Sequence, residues 1–502
     1  MSEDLVNAIP SKLDRDASDN FQESSGDTNI SQATTTVVPP STANNYRWVT
    51  SPINSIPAEI IRQIFVLCVA PFALRIPAQY PLPIELAPWN LLLVCSKWRQ
   101  VALGTSALWN DIYTYGCPKL PILKSILSRT GISLISLHIH VQLAPSNRRR
   151  GLTLKTLCEQ IGDIIQPYVG RFSYLSLYPA EEFRRFSDLP CGRMENLQSV
   201  SLDFSDGETK YTLDYSDAYH YPLYPVTAFN NARNLREVKI LTEFALFRPN
   251  DFPLPWEQLT VLHLINTPIP FTEGHEALRQ CLNLAAATLT IPSDKRCLPP
   301  GPSRTTLLPH LTSLEIRSAT ESAIATFGQF LQPFVLPSLK KLMIITLHIT
   351  RDTWSHSALF SLITRSSCHL ECFEAEWATP QLLHAFLPAA PSLLRLSFLW
   401  SIMEHFTIFH TIFQEMADDI LLPNLLGLEC NTDSLDDALK MVEARANQTS
   451  CLFPCTIINA VIIHGRTEPP YEIPFSIIQQ LRAQGIKIVF QYAGRELDDS
   501  KW

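Results

Sequence analysis

The side chains best equipped for chemistry are two cysteine pairs with histidines close by. Cys368-x-x-x-Cys372 encloses His369, and Cys451-x-x-x-Cys455 precedes His464. Thiolates and imidazoles at short spacing are the ligands of a structural zinc ion, which takes four of them at rigid, close positions. The two pairs stand about eighty residues apart, inside strand-like stretches, so they read as buried apolar thiols. Neither a metal nor any other cofactor is expected. Asp436-Asp437 and Asp498-Asp499 are paired carboxylates, but each pair is adjacent in the chain and reads as solvated surface. No G-x-S-x-G turn, H-E-x-x-H helix or phosphate-binding glycine loop occurs. With 16 glycines in 502 residues, phosphate-cradling loops are scarce in general. These residues point away from catalysis.

The elements that would position a non-catalytic surface are easier to read. Hydrophobic residues make up 46% of the chain, enough for most of it to bury a core. The net charge of −8 argues against a nucleic-acid partner, which normally meets a basic face. The short run Arg148-Arg149-Arg150 reads as a solvated loop. The acidic start, without an apolar core, does not read as a secretory signal, and no apolar run is long enough to predict a bilayer span. Twelve cysteines without a regular framework suit a reducing compartment, so a cytoplasmic or nuclear location is expected, with no membrane partner. Residues 1–50, rich in Ser, Thr, Asp and Asn, read as disordered.

Residues 51–115 carry dense helix signals. Pro57 suits a first helical position, and Glu59 favours the positive helix end. Ile60, Ile64 and Cys68, with Ile61 and Phe65 beside them, predict one broad apolar face. Residues 69–88 hold five prolines and read as an irregular insertion. Helical spacing resumes at Trp89, Leu92 and Leu93, continues through Val94, Trp98, Val101 and Ala102, and closes on Leu108 and Trp109.

From about residue 130 to 490 a short L-x-x-L-x-L segment recurs with substitutions. The first positions Leu235, Leu259, Leu284, Leu311 and Leu339 are separated by 24, 25, 27 and 28 residues. That period and pattern predict leucine-rich repeats, one strand each, stacked into a solenoid with a concave face. The asparagine usual after the third leucine is missing, which predicts an irregular array. Several strands follow a proline and a polar residue, as in Pro337-Ser338-Leu339 and Pro391-Ser392-Leu393. Residues 491–502 read as a polar tail.

The segment Ile56-Pro57-x-Glu59-Ile60, Ile64-Phe65, Cys68, Ala87-Pro88-Trp89-x-Leu91, Val94-Cys95-x-x-Trp98-Arg99-x-Val101-Ala102 and Leu108-Trp109 resembles the F-box of large fungal families, over about a tenth of the chain. The later segments resemble the divergent leucine-rich repeats that follow such F-boxes. The resemblance implies a mixed α+β chain: a small all-helical domain, then a leucine-rich-repeat α/β horseshoe. It implies the substrate-recognition subunit of a Skp-cullin-F-box ubiquitin ligase, docking a Skp-type adaptor and through it a cullin. The alternative is a repeat scaffold that never joins a ligase.

On this reading the adaptor-binding residues are Ile56, Pro57, Glu59, Ile60, Ile64, Phe65, Trp89, Leu92, Val94, Trp98, Arg99, Val101, Leu108 and Trp109. For Trp89, Trp98 and Trp109 the rival reading is that they fill a small core. The repeats would hold an unidentified protein substrate on outward strand positions, with Glu315, Arg317, Glu374, Glu376, Arg395 and Glu429 as candidates. Glu374, Glu376 and Glu429 would suit a basic segment by charge. Trp377 and Trp400 follow late strands and read as packing residues, with contact anchors as the alternative.

Overall fold

The computed structural model describes residues 55–69, 74–76, 88–143, 153–183, 193–205, 226–242, 247–269, 271–291, 305–318, 327–346, 356–376, 380–399, 406–418, 420–431, 435–448, 460–465, 475–492 and 495–496. The expected disordered segment 1–50, Arg148–Arg150, Trp377, Trp400, Cys451, Cys455 and Asp498-Asp499 lie outside them. The chain divides into Met1–Ser55 and a compact unit, Ile56–Trp502.

That unit opens with helix α1 (Ala58–Cys68), strand β1 (Leu74–Ile76), and helices α2 (Leu91–Val94) and α3 (Ser96–Leu103). Next come β2 (Asp111–Gly116), α4 (Leu120–Arg129), β3 (Ile135–Val141), α5 (Leu154–Ile165), β4 (Phe172–Tyr178), β5 (Ser199–Asp203), β6 (Glu237–Leu241) and β7 (Val261–Pro268). The middle holds α6 (Phe271–Gln280), β8 (Ala286–Ile291), β9 (Thr306–Leu307), β10 (Ser313–Ser318), β11 (Phe334–Val335) and β12 (Lys341–Thr346). The last part runs α7 (His356–Ser366), β13 (Cys372–Glu376), α8 (Pro380–Phe386), β14 (Arg395–Leu399), α9 (Phe406–Ala417), β15 (Gly427–Asn431) and α10 (Leu435–Gln448). It ends with β16 (Ala460–Gly465), α11 (Phe475–Ala483), β17 (Lys487–Tyr492) and β18 (Arg495–Glu496).

Among the described residues, sixteen strands form one sheet in chain order from β1 to β18, with β9 and β11 paired apart. Every neighbour in it is parallel except the closing β17–β18 hairpin. Each strand alternates: in β3, Ile135, Leu137, Ile139 and Val141 are buried, and Ser136, His138 and His140 lie between them on the other face. The leucine positions meet in register, Ala287 with Leu314 and Leu314 with Leu342. Side chains of period two on a shared register stack into one core.

This architecture corrects the expected fold class. The unit is α/β, and among the described residues no separate all-helical domain stands ahead of the strands. The reason lies in the proline-rich stretch: Leu74–Ile76 is not irregular but pairs in parallel with Ile112–Thr114, so the sheet starts inside the helical segment. The helices also share the sheet's core. Ile61, Phe65, Trp109, Leu123 and Leu137 belong to one continuous buried cluster. The Arg129 guanidinium of α4 lies 5.0 Å from the Trp109 ring centroid.

A polar ladder holds successive strands together, at a position other than the missing asparagine. The residue just before the first leucine of a strand segment donates a side-chain hydrogen bond to a backbone carbonyl of the preceding segment. Asn196 Nδ2 donates to Gly170 O at 2.6 Å, Asn234 to Glu195 O at 2.7 Å and Asn283 to Glu257 O at 2.8 Å. Ser338 Oγ donates to Pro309 O at 2.6 Å, and Ser392 Oγ to Leu370 O at 2.9 Å. The polar residue after proline is therefore a strand-entry clamp. Gly485 (φ +87°) ends α11 in the left-handed region and turns the chain into β17. Among the described residues no helix is long and apolar enough to cross a membrane.

Candidate functional site

Two surfaces deserve the name of candidate sites, one on the helical segment and one on the outward sheet face.

On the helical segment the expected single apolar face of α1 is split in two. Ile61 and Phe65 turn inward and are buried. Ile60, Ile64 and Leu67, one helical turn apart on the adjoining face, are 46%, 42% and 86% exposed. Pro57 and Glu59 are exposed ahead of them, and Cys68 after them. Val94 and its neighbour Leu93 are also more than half exposed. The residues expected to bind an adaptor do not include Leu67 and Leu93, although the 60–64–67 spacing carries Leu67.

The remaining expected adaptor residues sit deeper. Phe65, Trp89, Val101, Leu108 and Trp109 are buried core members. Trp89 and Trp109 meet edge to face at 5.7 Å between ring centroids, and Trp109 Nε1 donates to Ala102 O at 2.9 Å. Ile56, Leu92, Trp98 and Arg99 are half-buried. They also make contacts that tie the helices together. Trp98 packs against Phe65 with centroids 4.9 Å apart, Arg99 Nε donates to Leu92 O at 2.9 Å, and Lys97 Nζ donates to Ile56 O at 2.9 Å.

On the sheet, parallel register lines the outward residues into rows. One row runs Tyr113, His138, Ser176, Ser201, Lys239, His263, Thr288, Glu315, Met343, Glu374, Ser397, Glu429. The six expected substrate-face residues all fall on this face, in β10, β13, β14 and β15. They are not bare charges. Arg317 Nε bonds Glu315 Oε1 at 2.5 Å, and Lys341 Nζ lies 2.7 Å from Glu374 Oε1. Thr288 Oγ1 donates to Glu315 Oε2 at 3.2 Å and lies 2.8 Å from His263 Nδ1, so a polar chain crosses three strands. Burial pushes the Glu376 carboxyl up, against the opposing pull of Arg317. Arg395 is exposed and Glu429 half-buried.

The β2–β4 end of the same face carries a feature the strand pattern did not reveal. Tyr113, His138 and Tyr174 stack, with centroids 3.8 and 4.4 Å apart. Tyr115, His140 and Tyr178 stack beside them, at 4.7 and 4.1 Å. The alternations Tyr113-x-Tyr115 and His138-x-His140 were a usable signal. Register was needed to see that the rings meet.

The zinc and acid–base candidates resolve into structure. Cys368 and Cys372 are buried, burial pushes the Cys372 thiol up to about 11, and its Sγ donates to Glu374 Oε1 at 3.4 Å. Among the described residues no cluster of three or more His, Cys, Asp or Glu could hold a metal ion. Asp436 and Asp437 lie in the first turn of α10, where carboxylates favour the helix end. Asp436 pairs with Lys440 at 2.8 Å and Asp437 with His410 at 3.1 Å.

Neither the protein-family models nor the curated proteins gave any match to this chain.

Proposed function

We propose that this chain is a non-catalytic substrate receptor of a cullin-type ubiquitin ligase. Its helical segment docks a Skp-type adaptor, and its outward sheet face holds a protein substrate. The observation that carries this reading is the outward stripe Ile60–Ile64–Leu67. Three large aliphatic side chains a turn apart stay exposed beside the face on which Ile61 and Phe65 are buried. A contiguous apolar patch of that kind marks a protein interface. The F-box-like residue pattern around it names the class of partner.

The role needs no reacting group. One surface fixes the ligase and another fixes the substrate, so ubiquitin transfer proceeds at high effective concentration. The partners on this proposal are proteins, without nucleic acid or membrane, in the cytoplasm or nucleus.

The test is co-purification of the full chain with a Skp-type adaptor, beside an Ile60→Asp/Ile64→Asp variant. These positions are better probes than Trp98, whose loss would also disturb Phe65. Stoichiometric adaptor with the wild type and none with the variant is the expected outcome. A wild type that captures no adaptor leaves the ligase-independent scaffold as the better reading.

A further inference from the structure

The middle of the outward sheet face holds a histidine whose tautomer is fixed by its neighbours. Thr288 is 2% exposed, and its Oγ1 lies 2.8 Å from His263 Nδ1. The same Oγ1 donates to Glu315 Oε2 at 3.2 Å, and Glu315 Oε1 accepts from Arg317. A hydroxyl has one proton to donate. With that proton on the bond to Glu315, Thr288 accepts from the ring, so Nδ1 carries the hydrogen. Burial, the largest influence, lowers the His263 imidazole together with Lys239 and Arg317, against the pull of Glu237 and Glu315. The ring is therefore neutral at neutral pH, and Nε2 is an acceptor. Among the described residues no group bonds Nε2, and it is not sealed from solvent.

Register sets what stands beside it. Lys239 of β6 is the cross-strand neighbour of His263, and Leu241 is that of Ile265, two residues further along both strands. Adjacent strands lie about 4.8 Å apart, so these four side chains form one patch. Lys239 is exposed and makes no ion pair or hydrogen bond among the described residues. Leu241 and Ile265 are partly exposed aliphatic surface. The ladder is also interrupted here: the β7–β8 register shifts between His263 and Pro268, and Asn266 takes φ +51°. Interruptions of this kind gather beside functional sites, where they re-aim side chains.

The patch thus offers one acceptor, one ammonium and an apolar strip. A carboxylate suits Lys239 but sets a lone pair against His263 Nε2, and an exposed ammonium offsets that only slightly. A cationic side chain meets the Lys239 charge. A hydroxyl must serve both groups through one oxygen. A carboxamide carries its donor and its acceptor on two atoms, which matches two recognition groups on neighbouring strands. We infer that this patch binds a glutamine-bearing segment of a protein. The glutamine N–H donates to His263 Nε2, its carbonyl oxygen accepts from Lys239 Nζ, and its methylenes cover Leu241 and Ile265. The bonds among His263, Thr288, Glu315 and Arg317 stay in place. That this segment belongs to the substrate rests on the receptor reading; the binding itself does not.

The experiment is fluorescence anisotropy of the full chain, without adaptor, against three labelled heptapeptides that alternate glycine with glutamine, glutamate or serine. The glutamine peptide binds about tenfold more tightly than either of the others. His263→Leu and Lys239→Met each weaken it by about tenfold. Thr288→Val keeps the side-chain shape but frees the ring to present Nε2–H, so the preference for glutamine over glutamate falls to within about threefold. Lowering the pH until Nε2 takes up a proton weakens the glutamine peptide and tightens the glutamate peptide, because the acceptor becomes a donor. The pH series reads this acceptor in the wild type, whatever Thr288→Val does to folding. Lys440→Ala, on helix α10, leaves binding unchanged.

Equal affinity for glutamine and glutamate peptides at neutral pH, or an undiminished preference in a folded Thr288→Val variant, would overturn the inference. So would a serine peptide that binds as tightly as the glutamine peptide, or no binding by the glutamine peptide at all. Because no adaptor enters this assay, peptide binding with failed adaptor capture sinks the receptor reading alone. Adaptor capture with failed peptide binding sinks this inference alone.

Discussion

The exposed side chains of α1 and those of the sheet face solve opposite problems. On α1, Ile60, Ile64 and Leu67 are aliphatic and stay open to solvent. On the sheet, outward side chains engage one another: Glu315 with Arg317, Lys341 with Glu374, Tyr113 with His138. Free energy remains to be gained at the first surface by covering it, since each square ångström of apolar area removed from water contributes roughly 25 cal/mol. At the second surface a partner must displace interactions already made, so it gains specificity more than affinity. On the proposed reading, the helical segment suits a constant partner and the sheet face a selective one.

The sharpest way to break this contrast is to cross the two sides of α1. Phe65→Ala opens a cavity beneath Trp98 and should cost about 3–5 kcal/mol of stability in urea unfolding. Ile64→Ala, one residue away but outward, should cost under about 1 kcal/mol. If both lose alike, the stripe is core and not interface.

Next in size is adaptor binding. Ile60→Asp/Ile64→Asp should weaken it at least about a hundredfold by calorimetry, because buried apolar anchors dominate such interfaces. The melting temperature should stay within a few degrees of the wild type.

Acid sensitivity should come from the buried imidazoles. His275 is buried beside Phe330 and Phe334, its Nδ1 lies 3.2 Å from Thr306 Oγ1, and burial lowers it to about 4; His138 is lowered to about 4 as well. Above the ordinary histidine value both are neutral whether the chain is folded or not, so they exert no pH effect. Below it the unfolded chain takes up protons that the folded chain refuses, so stability falls between pH 6.5 and about 4. His275→Leu should flatten the melting temperature over that window. An unchanged slope would assign the acid sensitivity to other groups.

The smallest effect belongs to the sheet's charge pairs. Glu374→Gln removes the Lys341 partner on a partly exposed face and should change stability by less than about 1 kcal/mol. A larger loss would mean that the charged end of the sheet is a structural network.

The strands after residue 130 were readable because alternation of period two needs only local sequence: Leu342 and Ile344 are buried and Lys341 and Met343 are not. Three things were not readable, each for a physical reason. Strand β1 spans three residues among prolines, too short to show a period, and proline is tolerated at sheet edges. The helix pattern named the apolar residues of α1 but not which side would be covered, because that depends on where β2 and α4 bring the core. Thus Phe65 and Trp109 were grouped with Ile60 and Ile64, although the first pair is sealed. The ring stacks and the Asn/Ser clamps are cross-strand facts, set by register between residues some 22 to 39 positions apart.

The most direct test of the receptor account is hydrogen–deuterium exchange of the full chain with and without a Skp-type adaptor. The account predicts new protection confined to peptides covering Ala58–Cys68 and Leu91–Val94, with the strands from Lys341 onward unchanged. Protection on those strands with none on Ala58–Cys68, or no change anywhere, would contradict it.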